Sequence, residues 1–492
     1  MRAHILAGPD LLAQADDPRP PALGEDKPRP MRIKLNYDKR RSSGKIMVDD
    51  PNLAGDLLMN TIAQIAQAMQ TVLTTTADRL GRKVGFVQRT GKLDGSHFVQ
   101  TLVFAFMDKP QATYEDLSQS AAAVGVEISP QGLEQRFTDE AVELMQQVLH
   151  EAVRQSIECH PAALPVLQRF NGVYLRDSTV VSLPVELAEM YPGVGGSNGQ
   201  TAAVKLQVRL NYSTGQLEGP VLHSGRTQDQ STPFQDAALP PGALSLADLG
   251  FFNLGQFNRA NEQGVYYLAR LKFGTKVFTL AGECLDLVPW LNAQGPARVD
   301  LSVQVGQQEQ VQCRLLAVRV PQEVADQRRR QLHEYARKKQ VPLSDERLAW
   351  ADWTLLITNA PVERLTLPEA LILLRVRWQI ELLFKLWKSH AHIDEWRSHK
   401  PPRILCELLA KLIGVLILQW ILLTGLWQHI GRSRFKAARL VQRYITAIAL
   451  VLTQPEELMR VLTLVQKSLL ATCRTNKRRK RPSTYQLLLQ IT

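Results

Sequence analysis

The stretch Arg375–His390, RVRWQIELLFKLWKSH, combines apolar residues at helical spacing with charges at fixed intervals. At about 100° per residue, Leu374, Arg377, Glu381 and Lys388 fall within a sector of roughly 60° on one helix face. A carboxylate flanked by two cations can hold a metal ion while the cations bind phosphates. The alternative is an intrahelical salt bridge between Arg377 and Glu381, which leaves the aromatic side chains crowding the same helix unexplained.

Strand patterns lie upstream of this helix, and two of them carry an acid. In GVYLRDSTVVSLP, Asp177 follows the first predicted strand, and in ALSLADLGFF a short apolar run ends at Asp248. AAVKLQVRLNYSTGQLEGPVLHSG predicts a two-strand hairpin around a Ser-Thr-Gly turn. A helix over Asn253–Gln263 and the strands VYYLARLKFGTKVF and WTLLITN follow. This order of elements, with acids at these points, is the layout of an α/β, ribonuclease-H-like core.

Three carboxylates brought together in such a core repel one another unless cations neutralise them. Mg²⁺ prefers a few carboxylates together with substrate phosphate. Two such ions can activate an attacking oxygen and stabilise a leaving oxygen at phosphorus. For Asp177 or Asp248 taken alone, a role in a turn or cap is the commoner explanation. The ordered set with Glu381 is what points to chemistry.

The helix sequence resembles the signature of DDE insertion-sequence transposases of the cut-and-paste class. Their pattern is Tyr, two residues, Arg, three residues, Glu, six residues, Lys. Arg377, Glu381 and Lys388 match it by type and spacing, while Leu374 occupies the Tyr position. With the segments around Asp177 and Asp248, the resemblance covers roughly residues 170 to 430.

The resemblance implies that Asp177, Asp248 and Glu381 bind two Mg²⁺ ions, for which Mn²⁺ can substitute. Water, and then a freed 3′-hydroxyl, attacks phosphorus at the element ends. Arg377 and Lys388 contact phosphates near the cut, whereas the residue at the Tyr position here cannot donate a hydrogen bond to phosphate. Some relatives stack a flipped base on a Trp at the place of Trp353, and a core aromatic is the alternative for that residue.

The resemblance also implies the partners and the location. Double-stranded DNA, as element ends and as target, is the expected substrate, and a homodimer is expected to bridge two ends. Five widely spaced cysteines with no CxxC pattern exclude a typical structural zinc site and suit a reducing bacterial cytoplasm, where the protein is expected at the nucleoid. A catalytically inactive, repressor-like DNA-binding copy is the alternative. A glycoside hydrolase is disfavoured by the cations around Glu381.

The N-terminal region is predicted to be helical and to bind DNA. Thr113–Val124, a break at Gly125 and a helix opening at Pro130 are typical of a helix-turn-helix. Ser129 is a plausible N-cap. The second helix would then present Gln135 and Arg136 to DNA. Two packed helices without a DNA role explain the same pattern.

The remaining segments fix the predicted organisation. Leu412–Trp427 is apolar but only 16 residues long, so a buried core helix is preferred over a membrane span, which needs about 20 residues. The net charge of +12 favours a polyanionic partner. The tail carries six basic residues in eight: Arg474, Lys477, Arg478, Arg479, Lys480 and Arg481.

The predicted boundaries follow from these patterns. They are a disordered leader over 1–30 ahead of Met31, a helical DNA-binding domain over 31–165, a catalytic core over 166–279 and 351–430, a strand-rich insertion over 280–350 and a helical, basic C-terminal region over 431–492.

Overall fold

The computed structural model describes residues 51–89, 91–157, 159, 161–162, 164–195, 201–229, 237–427, 429, 431–476 and 482–491. The predicted leader over 1–30 lies outside the described residues, as does the tail segment 477–481. The described part divides into two compact units. The smaller contains residues 320–353, and the larger contains residues 60–319 and those from 354 onward.

The described residues between 51 and 168 form helices joined by short loops. They are α1 Pro51–Thr71, α2 Ala77–Lys83, α3 Gly95–Asp108, α4 Tyr114–Ala123, α5 Pro130–Glu134, α6 Asp139–Arg154 and α7 Pro165–Gln168. Capping side chains set several helix starts, because they satisfy backbone N–H groups that the helix leaves free. Thr113 forms a capping box with Asp116, and Thr138 accepts a hydrogen bond from the N–H of Ala141.

A mixed sheet forms the centre of the larger unit. Its described strands are β1 Val173–Leu183, β2 Ala202–Asn211, β3 Leu217–Ser224, β4 Leu244–Ala247, β5 Tyr266–Arg270, β6 Val277–Phe278, β7 Cys284–Leu285, β8 Arg298–Val305, β9 Val311–Arg319 and β10 Trp353–Thr358. Their order is β3-β2-β1-β4-β5-β10-β9-β8-β6-β7. Strands β1, β4 and β5 are parallel, whereas β2 is antiparallel to both of its neighbours. The protein is therefore a mixed α/β protein.

The predicted hairpin is confirmed as β2 and β3, joined at Ser213–Gly215. Gly215 has φ +82°, a left-handed conformation that favours glycine. A Cβ at this position would lie 2.3 Å from the ring of Trp427. The indole of Trp427 in turn donates a 2.7 Å hydrogen bond to the carbonyl of Tyr212. The turn is thus held against the helical C-terminal part of the larger unit.

The strands between 277 and 319 extend the central sheet instead of forming a sheet of their own. β8 and β9 pair along their full length, and β9 lies next to β10 in the strand order. Between β4 and β10 the larger unit also contains α8 Leu254–Glu262 and α9 Leu287–Gln294. The predicted strands of the insertion are present, but they belong to the same sheet as the acid-bearing strands.

The smaller unit contains the predicted charged helix. Between residues 320 and 353 this unit forms two helices, α10 Gln322–Lys339 and α11 Asp345–Trp350. Inside this unit Arg328 is buried and donates a 3.0 Å hydrogen bond to the carbonyl of Trp353. Arg329 is paired with Asp352 and with Asp326.

The predicted long helix around Glu381 is two helices, which corrects the sequence-based prediction. They are α12 Leu367–Val376 and α13 Trp378–His390, with the interruption at Arg377. Arg377 keeps helical dihedral angles, but its N–H bonds to the carbonyl of Leu374 and its carbonyl accepts from Ile380, both three residues away. The chain therefore tightens for one turn just ahead of Glu381.

The apolar helix is confirmed as a core helix. α14, Pro401–Leu423, has the length and apolar composition of a membrane span, with a mean hydropathy of 2.1, but its most apolar window is entirely buried. It packs against α3 and α6. Three charged residues on it, Arg403, Glu407 and Lys411, are at most 3% exposed. Lys411 lies 2.8 Å from Glu407 and also donates to the carbonyls of His392 and Glu395.

The C-terminal region is helical where the structure describes it. Its helices are α15 Arg434–Gln442, α16 Ile445–Val451, α17 Pro455–Thr472 and α18 Thr484–Leu488. α15 packs against α13 and α14, and α17 packs against α15 and α16. The C-terminal helices thus help to enclose the apolar helix of the core.

Candidate active site

The first two predicted acids belong to two neighbouring parallel strands. The paired residues of β1 and β4 end with Leu175 and Leu246, and two residues further along each chain segment are Asp177 and Asp248, whose charges act on each other. Neighbouring strands lie about 4.8 Å apart, and alternate residues share one face. Asp177 lies within β1, which runs on to Leu183, and not after the strand as the sequence had suggested. Asp248 directly follows β4, as predicted.

The third acid reaches the same place from α13, which packs against β1. Glu381 is in the first turn of α13, four residues after Arg377. The Nη1 atom of Arg377 lies 2.8 Å from Oε1 of Glu381 and 3.4 Å from Oδ2 of Asp248. The Arg377 side chain is buried, while both acids are partly exposed. One guanidinium therefore bridges a sheet acid and a helix acid.

The pKa of Asp177 depends on all three of these charged groups. Burial raises the pKa of its carboxyl to about 7, and the negative charges of Asp248 and Glu381 add to that rise. The N–H of Ser178, at 2.8 Å, and the cation of Arg377 oppose it. Asp177 has no ion pair in the part of the chain that the structure describes. The site is consequently short of positive charge next to Asp177.

The three carboxylates do not close into a metal site in this arrangement. Among the described residues, no group of three or more His, Cys, Asp and Glu side chains has the geometry to hold a metal ion. The guanidinium of Arg377 lies between Asp248 and Glu381 and supplies the neutralising charge there. The donor set nevertheless fits Mg²⁺, because it consists of carboxylate oxygens only, and Asp177 has no ion pair in the described part of the chain.

Lys388 is further along the same helix. Its Nζ donates a 3.0 Å hydrogen bond to the carbonyl of Val180, three residues beyond Asp177 on β1. The side chain remains partly exposed. Lys388 therefore links α13 to the strand that carries the first acid, and its contact with phosphate remains a prediction.

A polar network next to Asp177 was not predicted. The hydroxyl of Ser178 donates a 2.7 Å hydrogen bond to Asp229, and Lys205 of β2 lies 3.1 Å from the same carboxylate oxygen. Lys205 is 8% exposed and lies opposite Val180 in the strand register. The sequence feature that could have predicted this network is the isolated lysine in the otherwise apolar run AAVKL, because a lysine buried in a strand requires an acidic or polar partner.

Trp353 is a core aromatic in this structure. It is 2% exposed and starts β10. Its carbonyl accepts the hydrogen bond from Arg328 within the smaller unit. The sequence-based alternative, a core aromatic, describes its packing in this structure. Stacking on a flipped base remains a prediction, and it would require the ring to leave its buried position.

The helix expected to present Gln135 and Arg136 is shorter than predicted. Ser129 caps α5 and Pro130 is its first residue, as expected, but the helix ends at Glu134. Gln135 is the C-cap and Arg136 lies in the following loop, both exposed. Five residues span about 7 Å, too short for a recognition helix laid in the major groove. A contact of either residue with DNA remains a prediction.

The chain is similar in sequence to known transposases. Residues 169–417 match the family described as the transposase DDE domain. The chain is 27% identical over 363 residues to the transposase of insertion sequence element IS231E from Bacillus thuringiensis subsp. finitimus, covering 69% of this chain and 75% of that one. It is 25% identical over 383 residues to the transposase of IS1151 from Clostridium perfringens, covering 71% and 78%.

The chain is also similar to a solved structure. The piggyBac transposase synaptic complex with hairpin DNA aligns at a TM-score of 0.42 and 8% sequence identity, covering 84% of this chain and 87% of that chain.

Proposed function

The chain belongs to the transposase DDE-domain family, and from this membership we propose that it cuts and rejoins DNA at the ends of an insertion sequence through Asp177, Asp248 and Glu381. The observation that carries the proposal is the approach of Asp248 and Glu381 to one guanidinium beside Asp177. In this proposal double-stranded DNA is the substrate, a homodimer holds two ends, and the protein acts in the bacterial cytoplasm at the nucleoid.

The catalytic core is proposed to be ribonuclease-H-like. The order β3-β2-β1-β4-β5, in which β2 alone runs against the other strands, supports this. So does the position of the acids on two adjacent parallel strands and on a helix packed against β1. The neighbouring β10, β9 and β8 widen the sheet on the side away from the hairpin.

Asp177, Asp248 and Glu381 are proposed to hold Mg²⁺, with Mn²⁺ able to replace it. When bound, the metal supplies an activated oxygen nucleophile and stabilises the oxygen that leaves phosphorus. In this proposal the metal takes over the neutralising role that Arg377 has between Asp248 and Glu381 in the structure.

Arg377 and Lys388 are proposed to bind the phosphates flanking the cut. Arg377 is well suited because a guanidinium can form paired hydrogen bonds with a carboxylate or with a phosphate. In the structure it pairs with carboxylates, so binding of phosphate exchanges one anionic partner for another. Lys388 projects from the same helix towards β1 and adds a second positive charge.

The test is cleavage of a plasmid that carries the DNA flanking the gene, with purified protein and Mg²⁺. Wild-type protein should nick at the repeat ends, while Asp177→Asn, Asp248→Asn and Glu381→Gln should each lose at least about 1,000-fold in rate. Glu457→Gln, which removes an exposed acid on α17, is the matched control and should cut normally. Cleavage retained by any of the three site variants would remove the assignment.

A further inference from the structure

The positive charge of the chain is concentrated at its C-terminal end. Residues 431–492 contain thirteen Lys and Arg but only two acids, Glu456 and Glu457, so they account for +11 of the net charge of +12. Residues 1–430 are close to neutral. An excess of this size on one-eighth of the chain is the electrostatic signature of a polyanion-binding region.

α15 presents part of this charge as a row. Lys436 and Arg439 of α15 and its C-cap residue Arg443 are exposed, and their spacing of three and four residues places them on one side of the helix. The row is about 10 Å long, at 1.5 Å per residue. The opposite side of α15, with Ala437, Ala438 and Val441, is buried. Neither Arg439 nor Arg443 makes an ion pair in the described part of the chain.

A second segment brings Arg474 to the start of this row. The N–H of Ser433 donates to the carbonyl of Cys473 at 2.7 Å, and the N–H of Thr475 donates to the carbonyl of Gly431 at 2.7 Å. Lys436 donates a 2.8 Å hydrogen bond to the carbonyl of Arg474. The side chain of Arg474 is exposed. Main-chain pairing therefore fixes the segment beside the N-terminal end of α15.

Not every cation of the region belongs to this surface. Arg434 is packed over the ring of Trp427, with its guanidinium carbon 4.4 Å from the ring centroid, and donates to the carbonyl of Gln379. Its role is to join α15 to the core. Lys436 holds the main chain of Arg474, but it and the other exposed cations lie close together, and like charges in a row repel one another until an anion binds.

We propose that Lys436, Arg439, Arg443 and Arg474, here called the C-terminal cationic row, bind the phosphate backbone of duplex DNA without reading its sequence. The inference rests on the proposed function and adds to it a DNA-binding surface separate from Asp177, Asp248 and Glu381. DNA fits better than a lipid surface, because a helix lying on a membrane needs an exposed apolar face. The apolar side chains of α15, including Phe435 and Leu440, pack against the core.

The test compares two triple variants that remove the same charge. Arg439→Gln/Arg443→Gln/Arg474→Gln removes three cations of the row and leaves Lys436, which holds the main chain of Arg474. The matched control, Arg337→Gln/Lys338→Gln/Lys339→Gln, removes three exposed cations from the last turn of α10, outside the predicted DNA-binding domain. Each full-length protein is titrated into a labelled duplex of unrelated sequence at several salt concentrations without divalent metal, after its thermal melting has been compared with wild type.

Each lost phosphate contact reduces the slope of log affinity against log salt by about 0.9. The row variant should therefore lose about 2 to 3 units of slope and on the order of 10- to 100-fold in affinity at 0.15 M salt. The control should lose less than about one unit of slope. Equal losses in both variants, no loss in the row variant, or row-dependent binding to anionic vesicles in place of DNA would overturn the inference.

The two proposals fail separately. If wild-type protein binds DNA and the row variant does not, but wild type never cuts at the repeats, then the catalytic assignment fails and the DNA-binding surface stands. If wild type cuts at the repeats and the row variant binds DNA as well as the control variant does, then the catalytic assignment stands and the proposed DNA-binding surface fails.

Discussion

The Nη1 atom of Arg377 lies 2.8 Å from the Oε1 atom of Glu381, four residues later and across the tightened turn between α12 and α13. Because the same guanidinium also reaches Asp248, it neutralises charge that a divalent cation is proposed to neutralise during catalysis. In this structure Arg377 thus supplies positive charge where the proposed metal ion would supply it.

Arg377→Gln should lower the free energy of unfolding by about 2–4 kcal/mol in the absence of Mg²⁺, since it leaves the acids without their cation. Added Mg²⁺ should narrow this deficit, because the metal then binds acids that the arginine no longer occupies. Urea unfolding across a Mg²⁺ series measures the effect. Arg375→Gln, an exposed residue on α12, is the control. A deficit that is identical at every Mg²⁺ concentration would contradict the prediction.

Lys388→Gln should slow DNA cleavage by about 10- to 100-fold, on the order of one lost charge-assisted phosphate contact, and should leave thermal stability nearly unchanged. Lys388→Arg should recover most of the rate, because it keeps the charge. Lys385→Gln, which removes an exposed cation one turn earlier on α13, should change the rate by less than about threefold. Single-turnover cleavage assays give these rates, and equal losses at Lys385 and Lys388 would count against a specific contact.

Glu407→Gln should be strongly destabilising at neutral pH, by about 3–5 kcal/mol, because it leaves the buried cations Arg403 and Lys411 without their acid. Burial lowers the pKa of the Lys411 ammonium, and Glu407 opposes that effect. The unfolded chain therefore binds more protons at this lysine than the folded chain does, so stability should rise with pH up to the ordinary lysine range.

In the Glu407→Gln variant this rise should be steeper, and the deficit should shrink as the pH rises towards the ordinary lysine range and Lys411 loses its proton. Chemical unfolding at several pH values tests this. Glu457→Gln, which breaks an exposed ion pair with Arg460, should cost less than about 1 kcal/mol at any of them. A deficit for Glu407→Gln that grows with pH would refute the explanation.

Gly215→Ala should destabilise the protein by about 2–4 kcal/mol, because the new Cβ meets both an unfavourable φ and the ring of Trp427 at 2.3 Å. Gly282→Ala separates the two causes, since Gly282 has φ +87° but nothing within 4 Å of a Cβ. It should cost only about 1 kcal/mol. Thermal melting of both variants checks the difference, and comparable losses would show that the contact with Trp427 is unimportant.

Elements with strong local patterns could be predicted from the sequence. The hairpin β2–β3, the buried strand β10 and the core helix α14 all have alternation, apolar length or turn residues that specify them locally. The order of the three acids along the chain followed from the same patterns. The parallel pairing of β1 with β4, which brings Asp177 near Asp248, joins distant segments of the chain, and local patterns do not encode it.

The differences between sequence and structure have physical reasons. The β-branched run after Asp177 continues β1, so the acid lies inside the strand. α5 ends at Glu134, which pairs with Lys400 from a distant loop. The break at Arg377 coincides with ion pairs to Asp248 and Glu381. At the end of α5 and at the break at Arg377, a residue remote in sequence forms an ion pair with the residue where the helix ends or is interrupted. Helical spacing in the sequence does not predict such a pair.

The enclosure of α14 has a consequence for damaged copies of the gene. Its 23 residues form a rod about 34 Å long, and helices from both ends of the chain, among them α3, α6 and α15, pack against it. A product truncated at either end would expose to solvent an apolar helix surface about as long as the hydrocarbon core of a bilayer is thick. Truncated fragments of this protein should therefore aggregate or be degraded instead of accumulating as folded proteins.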